Sequence, residues 1–490
     1  MVIRSLVVGI ASALLAACAT VGPDYRAPEL APATLPSASE TAFNDTRPVA
    51  NWWSQFEDPT LDQLIADALA ANPDLWIAAA RVQEARAVFS ERRLDLAPHV
   101  QLGVEQTRSK QPVADQGRVE TETDSVGFDA AWELDLFGRL RRSAEAAHAD
   151  LQAQRNDMTA MQVSVAAEVA RNYFELRGAQ KRLDVARKTL GNLGETQRLT
   201  ESRWELGAGT ELEVQSSLAR MKAIEATLPV LETAEAQSRH RIEVLTGRRP
   251  GTLDAVLAPR ETPALVKVLP IGDTGSLLRQ RPDVRAAERR LAAATARVGV
   301  ATADLFPRVS IRGFVGFLAG DFSGLINGDN KAWSVTPSIS WAAFDLGSVR
   351  ARLRAVQAQN DGAVAEYEKA VLGALEDTEN ALLGYAKRQT QLLRVNEQAT
   401  AARRAADLAE ARYRAGASDF LTLLDAQRTQ LAADDALAQA EAGVNVGVVA
   451  VYKSLGGWGE PDVDPALASV KREIGDPAPR GESDTTLVQR

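Results

Sequence analysis

The 490-residue chain is long enough to bury large cores, and its net charge of -9 argues against a nucleic-acid partner. It is rich in alanine, leucine, arginine, glutamate and glutamine and contains only 5% aromatic residues, a mixture that favours long helices. Beyond the amino terminus, no apolar run reaches the roughly 18 residues that a transmembrane helix needs. Any segment that spans a membrane must therefore be a strand.

The amino terminus resembles an export signal. Arg4 precedes the apolar run from Leu6 to Ala17, which is too short to span a bilayer, and Cys18, the only cysteine, follows Leu-Ala-Ala directly. This arrangement resembles the bacterial lipobox, in which the Cys sulfur becomes acylated. The alternative is an ordinary signal peptide with an incidental cysteine. We expect lipidation at Cys18. In the bacterial lipoprotein pattern, Ala19 in place of Asp resembles an outer-membrane rather than an inner-membrane address.

The rest of the chain contains one pattern twice, at a fixed offset of 209 positions. The matching segments are Ala71–Leu75 with Gln280–Val284, Leu96–Val100 with Leu305–Val309, Trp132 and Gly138 with Trp341 and Gly347, and Arg203–Gly207 with Arg412–Gly416. Units this long are not solenoid repeats of roughly 20–50 residues. We predict a signal peptide at 1–17, an anchored extension at 18–51, repeats at 52–247 and 276–457, a linker at 248–275 and a polar tail at 458–490.

Each repeat contains two predicted strands. Apolar and polar residues alternate strictly from Val126 to Trp132 and from Trp333 to Trp341, and less cleanly near Val100 to Thr107 and Val309 to Phe317. Four strands cannot close a membrane barrel, for which about eight is the smallest number. The strands therefore belong to a soluble sheet or are shared among subunits. Loops are expected at Arg108–Thr121 and Leu318–Lys331.

Long helices follow the strands in both repeats. Arg139–Leu206 and Val349–Ala415 lack proline and would each extend about 100 Å as helices. A glycine-containing turn ends each one, and we expect returning helices that run to Gly247 and Gly456. Their predicted N-caps are Thr210 in the first repeat and Ser418 or Asp419 in the second.

Together these residues resemble the TolC-type outer-membrane factors, in the lipoprotein branch that includes OprM and NodT. The markers are Cys18, Val21-Gly22-Pro23-Asp24-Tyr25, Trp52-Trp53, Asn72-Pro73, Trp132 to Gly138, Arg281-Pro282-Asp283 and Tyr413 to Gly416. The resemblance implies a mixed α and membrane β fold. In it, a trimeric 12-stranded β-barrel with four strands per protomer continues into a long periplasmic α-helical barrel built from two tandem repeats.

The resemblance also implies the function: the outer-membrane channel of a tripartite efflux pump, a passive exit duct for small toxic compounds. The protein would be a homotrimer, lipid-anchored in the bacterial outer membrane and projecting into the periplasm. Its partners would be outer-membrane lipid, a periplasmic adaptor (membrane-fusion) protein and a proton-driven inner-membrane transporter. No cofactor is expected apart from the covalent lipid on Cys18.

Other functions stay open at this point. One is the exit duct of a type I protein secretion system, and another is a lipid-tethered periplasmic coiled-coil scaffold. An enzyme is disfavoured because the three histidines, His99, His148 and His240, match no metal-binding spacing and no nucleophile or phosphate-loop motif occurs. No catalytic or metal-binding residue is therefore predicted.

The site residues lie around the two helix turns. Only the second repeat carries Asp425 and Arg428, which align with Ser216 and Ala219 in the first. The family's periplasmic gate matches Leu421, Asp425 and Arg428, and its closed-state ties match Arg412 and Tyr413, with Glu211 and Glu213 as candidate partners. A plain helix-terminal acid is the alternative role for Asp425. The expected adaptor contacts, alternatively simple helix caps, are Gly207, Gly209, Thr210, Gly416, Ser418 and Asp419.

Overall fold

The computed structural model describes residues 20–29, 35–46, 48, 51–113, 117–273 and 279–457. The predicted signal peptide, Cys18 and the polar tail lie outside these ranges. The first half contains β1 (Phe43–Asn44), α1 (Pro59–Ala71), α2 (Pro73–Leu94), β2 (His99–Val113), β3 (Gly117–Leu134), α3 (Arg139–Glu205), α4 (Glu211–Glu225) and α5 (Leu228–Leu245). The second contains β4 (Leu269–Pro270), α6 (Pro282–Ala303), β5 (Arg308–Ala319), β6 (Lys331–Ser340), α7 (Leu346–Arg414) and α8 (Phe420–Ser454).

The two long helices are confirmed: α3 has 67 residues and α7 has 69. The returning helix of the first repeat was predicted to be continuous, but it breaks after Glu225 into α4 and α5. Pro229 lies in the first turn of α5 and lacks the amide hydrogen that would carry the helix through this point. In the second repeat α8 runs unbroken to Ser454.

The four long strands form one antiparallel sheet in the order β2-β3-β5-β6, so β3 and β5 join the two halves and β2 and β6 are its edges. The predicted loop at Arg108–Thr121 is wrong, because β2 extends to Val113 and β3 begins at Gly117. Ion pairs of opposite strand residues, Arg108 with Glu122 at 2.7 Å and Lys110 with Glu120 at 3.4 Å, stabilise this polar extension. The second loop lies between Ala319 and Lys331, as expected.

One face of the sheet exposes a row of apolar side chains. Leu102, Phe128, Val315 and Trp333 lie opposite one another across all four strands. Their side chains are 67%, 53%, 59% and 77% exposed, although removing such apolar side chains from water is favourable. A continuous exposed apolar band of this kind marks a surface that contacts lipid or protein.

Among the described residues, no helix is both long enough and apolar enough to cross a bilayer.

Several contacts of the first half recur in the second at the same offset. The Asn72 side chain donates to the Leu245 carbonyl at 2.9 Å, and the Arg281 guanidinium donates to the Ser454 carbonyl at 2.7 Å. The indole N–H groups of Trp132 and Trp341 donate to the carbonyls of Leu96 and Leu305, both at 3.0 Å. In each pair, donor and acceptor are both displaced by 209 positions. The repeated sequence therefore forms repeated local structure.

The chain forms two compact units, and each combines equivalent stretches of both repeats. One contains residues 20–29, 81–156 and 285–370, including the four-stranded sheet. The other contains the described parts of 30–80, 157–284 and 371–457, including the helix turns. Its core is large and apolar, with fully buried Leu61, Ile65, Tyr173 and Tyr385.

Among the glycines of the described sheet, Gly316 of β5, opposite Gly127 of β3, leaves the least room for a side chain. A β-carbon on Gly316 would lie 2.2 Å from the Val126 carbonyl oxygen, whereas one on Gly313 of the same strand would meet nothing nearer than 3.8 Å. We expect Gly316→Ala to destabilise the sheet by about 1–3 kcal/mol, the usual cost of overpacking. Gly313→Ala is the matched control, and equal thermal unfolding midpoints of the two variants in detergent would contradict the prediction.

Candidate gate at the helix turns

The two turns that follow α3 and α7 have the same backbone geometry. After α3, Ala208 N–H donates to the Arg203 carbonyl at 2.8 Å, and Gly207 N–H donates to the Trp204 carbonyl at 2.9 Å. After α7, Ala417 and Gly416 donate to Arg412 and Tyr413 at 2.8 and 3.0 Å. Both glycines are left-handed, with φ of 72° and 70°, as a Schellman cap requires.

Side chains then begin the returning helices, as predicted. Thr210 and Glu213 form a capping box, in which the Thr210 hydroxyl accepts from the Glu213 N–H and the Glu213 carboxylate accepts from the Thr210 N–H. In the second turn the cap is Asp419 rather than Ser418, because the Asp419 carboxylate accepts from the Thr422 N–H at 2.7 Å. The capping residues hold both turns in one shape and present Gly209 and Ser418 at their tips.

Tyr413 connects the two helix turns. Its side chain is 1% exposed and packs against Phe420, with ring centroids 5.8 Å apart. The guanidinium carbon of Arg203, from the end of α3, lies 4.9 Å from the centre of the Tyr413 ring. Burial raises the pKa of the Tyr413 hydroxyl; the Arg203 charge opposes this rise and the Glu213 charge adds to it. The contact between the hairpins is thus a cation on an aromatic face.

The predicted carboxylate partners do not make this connection. Glu213 is used in the capping box, and within the described part of the chain neither Glu211 nor Glu213 hydrogen-bonds or ion-pairs with Arg412 or Tyr413. The guanidinium of Arg412 instead reaches the Ala417 carbonyl at 3.5 Å, across its own turn. A single protomer therefore holds Tyr413 through Arg203, a residue that the family motif did not indicate.

The predicted gate residues lie on the first three turns of α8. Leu421 is 63% exposed, and it lines an open hollow against α7 together with Asp419 and Asp425. Asp425 and Arg428 form an ion pair at 2.6 Å in which both side chains are 66% exposed. The structure brings these residues to one face of the helix but leaves them open to solvent within one protomer.

A second cation, Arg220, belongs to the same region. Burial lowers the pKa of this α4 arginine, and the positive charge of Arg428 lowers it further. Asp425 is thus the acid that balances Arg428 beside another positive charge. Sequence reasoning missed Arg220 because its repeat counterpart, Thr429, carries no charge. Arg203, in contrast, was detectable as the counterpart of Arg412.

Two substitutions at Tyr413 distinguish the contribution of its ring to stability from that of its hydroxyl. The hydroxyl oxygen is buried without a hydrogen-bond partner in the described structure, so we expect Tyr413→Phe to leave stability within about 0.5 kcal/mol or to raise it. Tyr413→Leu removes the face that Arg203 covers and the contact with Phe420, which lowers stability by about 1–2 kcal/mol. Unfolding midpoints measure both, and a larger loss in the Phe variant would refute this assignment.

Within the described residues, no cluster of three or more His, Cys, Asp or Glu side chains could hold a metal ion.

The chain as a whole is similar to known outer-membrane proteins. The family model described as outer membrane efflux protein matches residues 64–248 and 274–457. The chain is 32% identical over 454 residues to the solvent efflux pump outer membrane protein SrpC of Pseudomonas putida, covering 91% of this chain and 96% of that protein. It is 29% identical to nodulation protein T of Rhizobium leguminosarum bv. trifolii, covering 88% and 92%. The solved outer-membrane channel OprN is 50% identical with a TM-score of 0.87, covering 90% and 99%.

Proposed function

Because this chain belongs to the outer membrane efflux protein family, we propose that it is the outer-membrane channel of a tripartite efflux pump. It serves as a passive exit duct that receives small toxic compounds from a periplasmic adaptor and a proton-driven inner-membrane transporter. The observation that carries the proposal is that the similarity extends over both repeats and over nearly the whole of a solved outer-membrane channel.

The duct is formed by three copies. A single four-stranded sheet has two edges, β2 and β6, and unpaired backbone groups at such edges are costly in lipid. Joining β2 of each copy to β6 of the next pairs both edges and directs the exposed apolar row towards lipid. The long helices of the three copies then enclose the periplasmic part of the duct, and Cys18 carries the lipid that anchors each copy.

The gate is the ring of Leu421, Asp425 and Arg428 from three copies. Rings of charged side chains control ion passage in channels, and the ion pair of Asp425 with Arg428 supplies both signs. Arg412 and Tyr413 hold the second hairpin in the closed state. The two turns, at Gly207, Gly209 and Thr210 and at Gly416, Ser418 and Asp419, contact the adaptor.

Two measurements on the full chain test this function. Native mass spectrometry of the detergent-extracted protein is expected to give a trimer with an acyl increment on every Cys18. Expression in a bacterial strain that lacks its own outer-membrane efflux channel, together with the cognate adaptor and transporter, is expected to restore resistance to exported compounds. A lipidated monomer without restored resistance would favour the tethered scaffold instead.

A further inference from the structure

The contact of Arg203 with Tyr413 joins the two repeats within one protomer. Arg203 lies in the last turn of α3 in the first repeat, and Tyr413 lies in the last turn of α7 in the second. Its guanidinium carbon lies 4.9 Å from the centre of the Tyr413 ring, and its Nη2 also reaches the Ala208 carbonyl at 3.4 Å. The cation of one repeat thus covers the aromatic ring of the repeat that follows it.

The reciprocal residues are present but unmatched. Trp204 occupies the position of Tyr413 in the first repeat, yet it is 48% exposed, and within the described chain no guanidinium covers its ring. Arg412 occupies the position of Arg203, and its Nη2 reaches the Ala417 carbonyl at 3.5 Å in the same posture. Within one protomer, Arg412 and Trp204 are therefore the repeat counterparts of Arg203 and Tyr413 but do not form the corresponding contact.

We propose that Arg412 of each copy covers the Trp204 ring of the neighbouring copy. This inference rests on the proposed ring of copies. A closed ring places the second repeat of one copy beside the first repeat of the next in the order already seen within the protomer. Because the backbone of the two turns is the same, the guanidinium that meets Tyr413 inside a copy has its counterpart meeting Trp204 between copies.

The chemistry of the pair fits a contact of this kind. Tryptophan has the aromatic face that binds a cation most strongly, and arginine is the commonest cation in such contacts. Arginine also stacks its planar guanidinium on a ring, which lysine cannot do. Each pair joins two copies at the turn rather than along the helices. Breaking it frees the hairpin tips from each other while the remaining surfaces stay in contact.

Cross-linking in the assembled protein tests the pairing directly. In a Trp204→Cys, Arg412→Cys variant, a short bismaleimide forms one thioether at each thiol and is expected to join copies covalently. Denaturing gels then show dimers and trimers. The matched control is Arg203→Cys, Tyr413→Cys, which bridges the intramolecular pair and leaves the single-chain mass. A second control, Trp204→Cys with Arg394→Cys, places the thiols several helical turns apart and is expected to give no linked copies.

Native mass of the same samples separates the possible failures. A trimer without linked Trp204→Cys, Arg412→Cys copies would overturn the pairing and leave the proposed duct standing. If the adaptor then protected the Trp204→Cys thiol from maleimide, the adaptor would be the partner that covers Trp204. Absence of any trimer would contradict the proposed ring itself. Linked copies within an intact trimer support the pairing.

A functional measurement distinguishes ring contact from simple charge. We expect Arg412→Gln and Trp204→Leu each to raise the open fraction of the channel about two- to fivefold per pair, and Trp204→Phe to raise it less. Arg412→Lys keeps the charge but cannot stack a planar group on the ring, so its open fraction is expected to lie between those of the wild type and Arg412→Gln. The Arg412→Gln, Trp204→Leu double variant is expected to match the single variants, and additive effects would refute direct contact.

Discussion

Asp425→Ala is expected to raise the leak of the closed channel about tenfold while leaving thermal stability unchanged. The Asp425–Arg428 ion pair is largely exposed, and such pairs contribute little to stability. Without the carboxylate, however, the charge of Arg428 acts on Arg220 with no balancing acid, and in the proposed trimer it also acts on the Arg428 residues of the other copies. Repulsion equivalent to about 1.4 kcal/mol gives the tenfold change. Conductance in planar lipid bilayers is the measurement.

The chain offers a matched control for this change. Arg394 and Glu397 form an ion pair with the same spacing, at 3.0 Å and with side chains 70% and 56% exposed, further from the turn on α7. Glu397→Ala is expected to leave the leak unchanged. The exchanged variant Asp425→Arg, Arg428→Asp restores both signs and should recover most of the closure. Equal conductance of Asp425→Ala and the wild type would reject the gate and leave Asp425 as an ordinary helix-terminal acid.

Arg281→Ala is expected to lower the free energy of unfolding by about 3 kcal/mol, the largest single effect outside the gate. The buried Arg281 guanidinium donates to the Ser454 carbonyl at 2.7 Å and to the Ala374 carbonyl at 3.2 Å, and it pairs with Asp283 at 2.7 Å. Its removal takes one donor from the Ala374 carbonyl of α7 and one from the Ser454 carbonyl at the end of α8, which keeps only the Thr378 hydroxyl at 3.2 Å among the described residues. Thermal or denaturant unfolding in detergent measures the loss.

The pH dependence of that loss tests the same contact. Burial acts to raise the pKa of Asp283, but hydrogen bonds and charge from Arg281 hold it below its usual value. The stabilisation from this lowered pKa is present above the unfolded pKa of about 3.9 and disappears as the pH falls through the folded value. The difference between wild type and Arg281→Ala should therefore shrink below about pH 4.

The exposed Arg285, in the first turn of α6, provides the control. Arg285→Ala removes the same kind of side chain four residues after Arg281 and is expected to change stability by less than about 0.5 kcal/mol. Arg281→Lys keeps the charge but cannot donate to the carbonyls and to Asp283 in one plane. Its loss of stability should therefore lie between those of Arg285→Ala and Arg281→Ala. A loss in Arg285→Ala as large as in Arg281→Ala would show that helix charge, rather than the buried contacts, is responsible.

The long helices and their caps were predictable because local chemistry determines them. Absence of proline allowed α3 and α7 to extend, and Gly207, Gly416, Thr210 and Asp419 ended them or began their successors. The polar ends of β2 and β3 were not predictable from alternation. Their charged residues are stabilised by partners on the opposite strand, 14 and 10 positions away in the chain.

The candidate site was predictable in part. The turns, the charges on α8 and the importance of Tyr413 followed from the repeat and from the family resemblance. The partner of Tyr413 did not, because the contact with Arg203 joins helix ends that are far apart in sequence. Comparing the repeats would have indicated Arg203, since its counterpart Arg412 was already singled out. Arg220 had no such counterpart and depended on the folded arrangement alone.

The matched lengths of the two repeats restrict how this protein can change through evolution. One residue inserted into α3 or α7 turns every later side chain by about 100° and moves it by about 1.5 Å, so a buried face becomes an exposed one. The contacts that recur at the common offset would then lose their partners in one repeat only. We therefore expect tolerated changes in the length of these helices to come in near-whole numbers of turns, and by the same amount in both repeats.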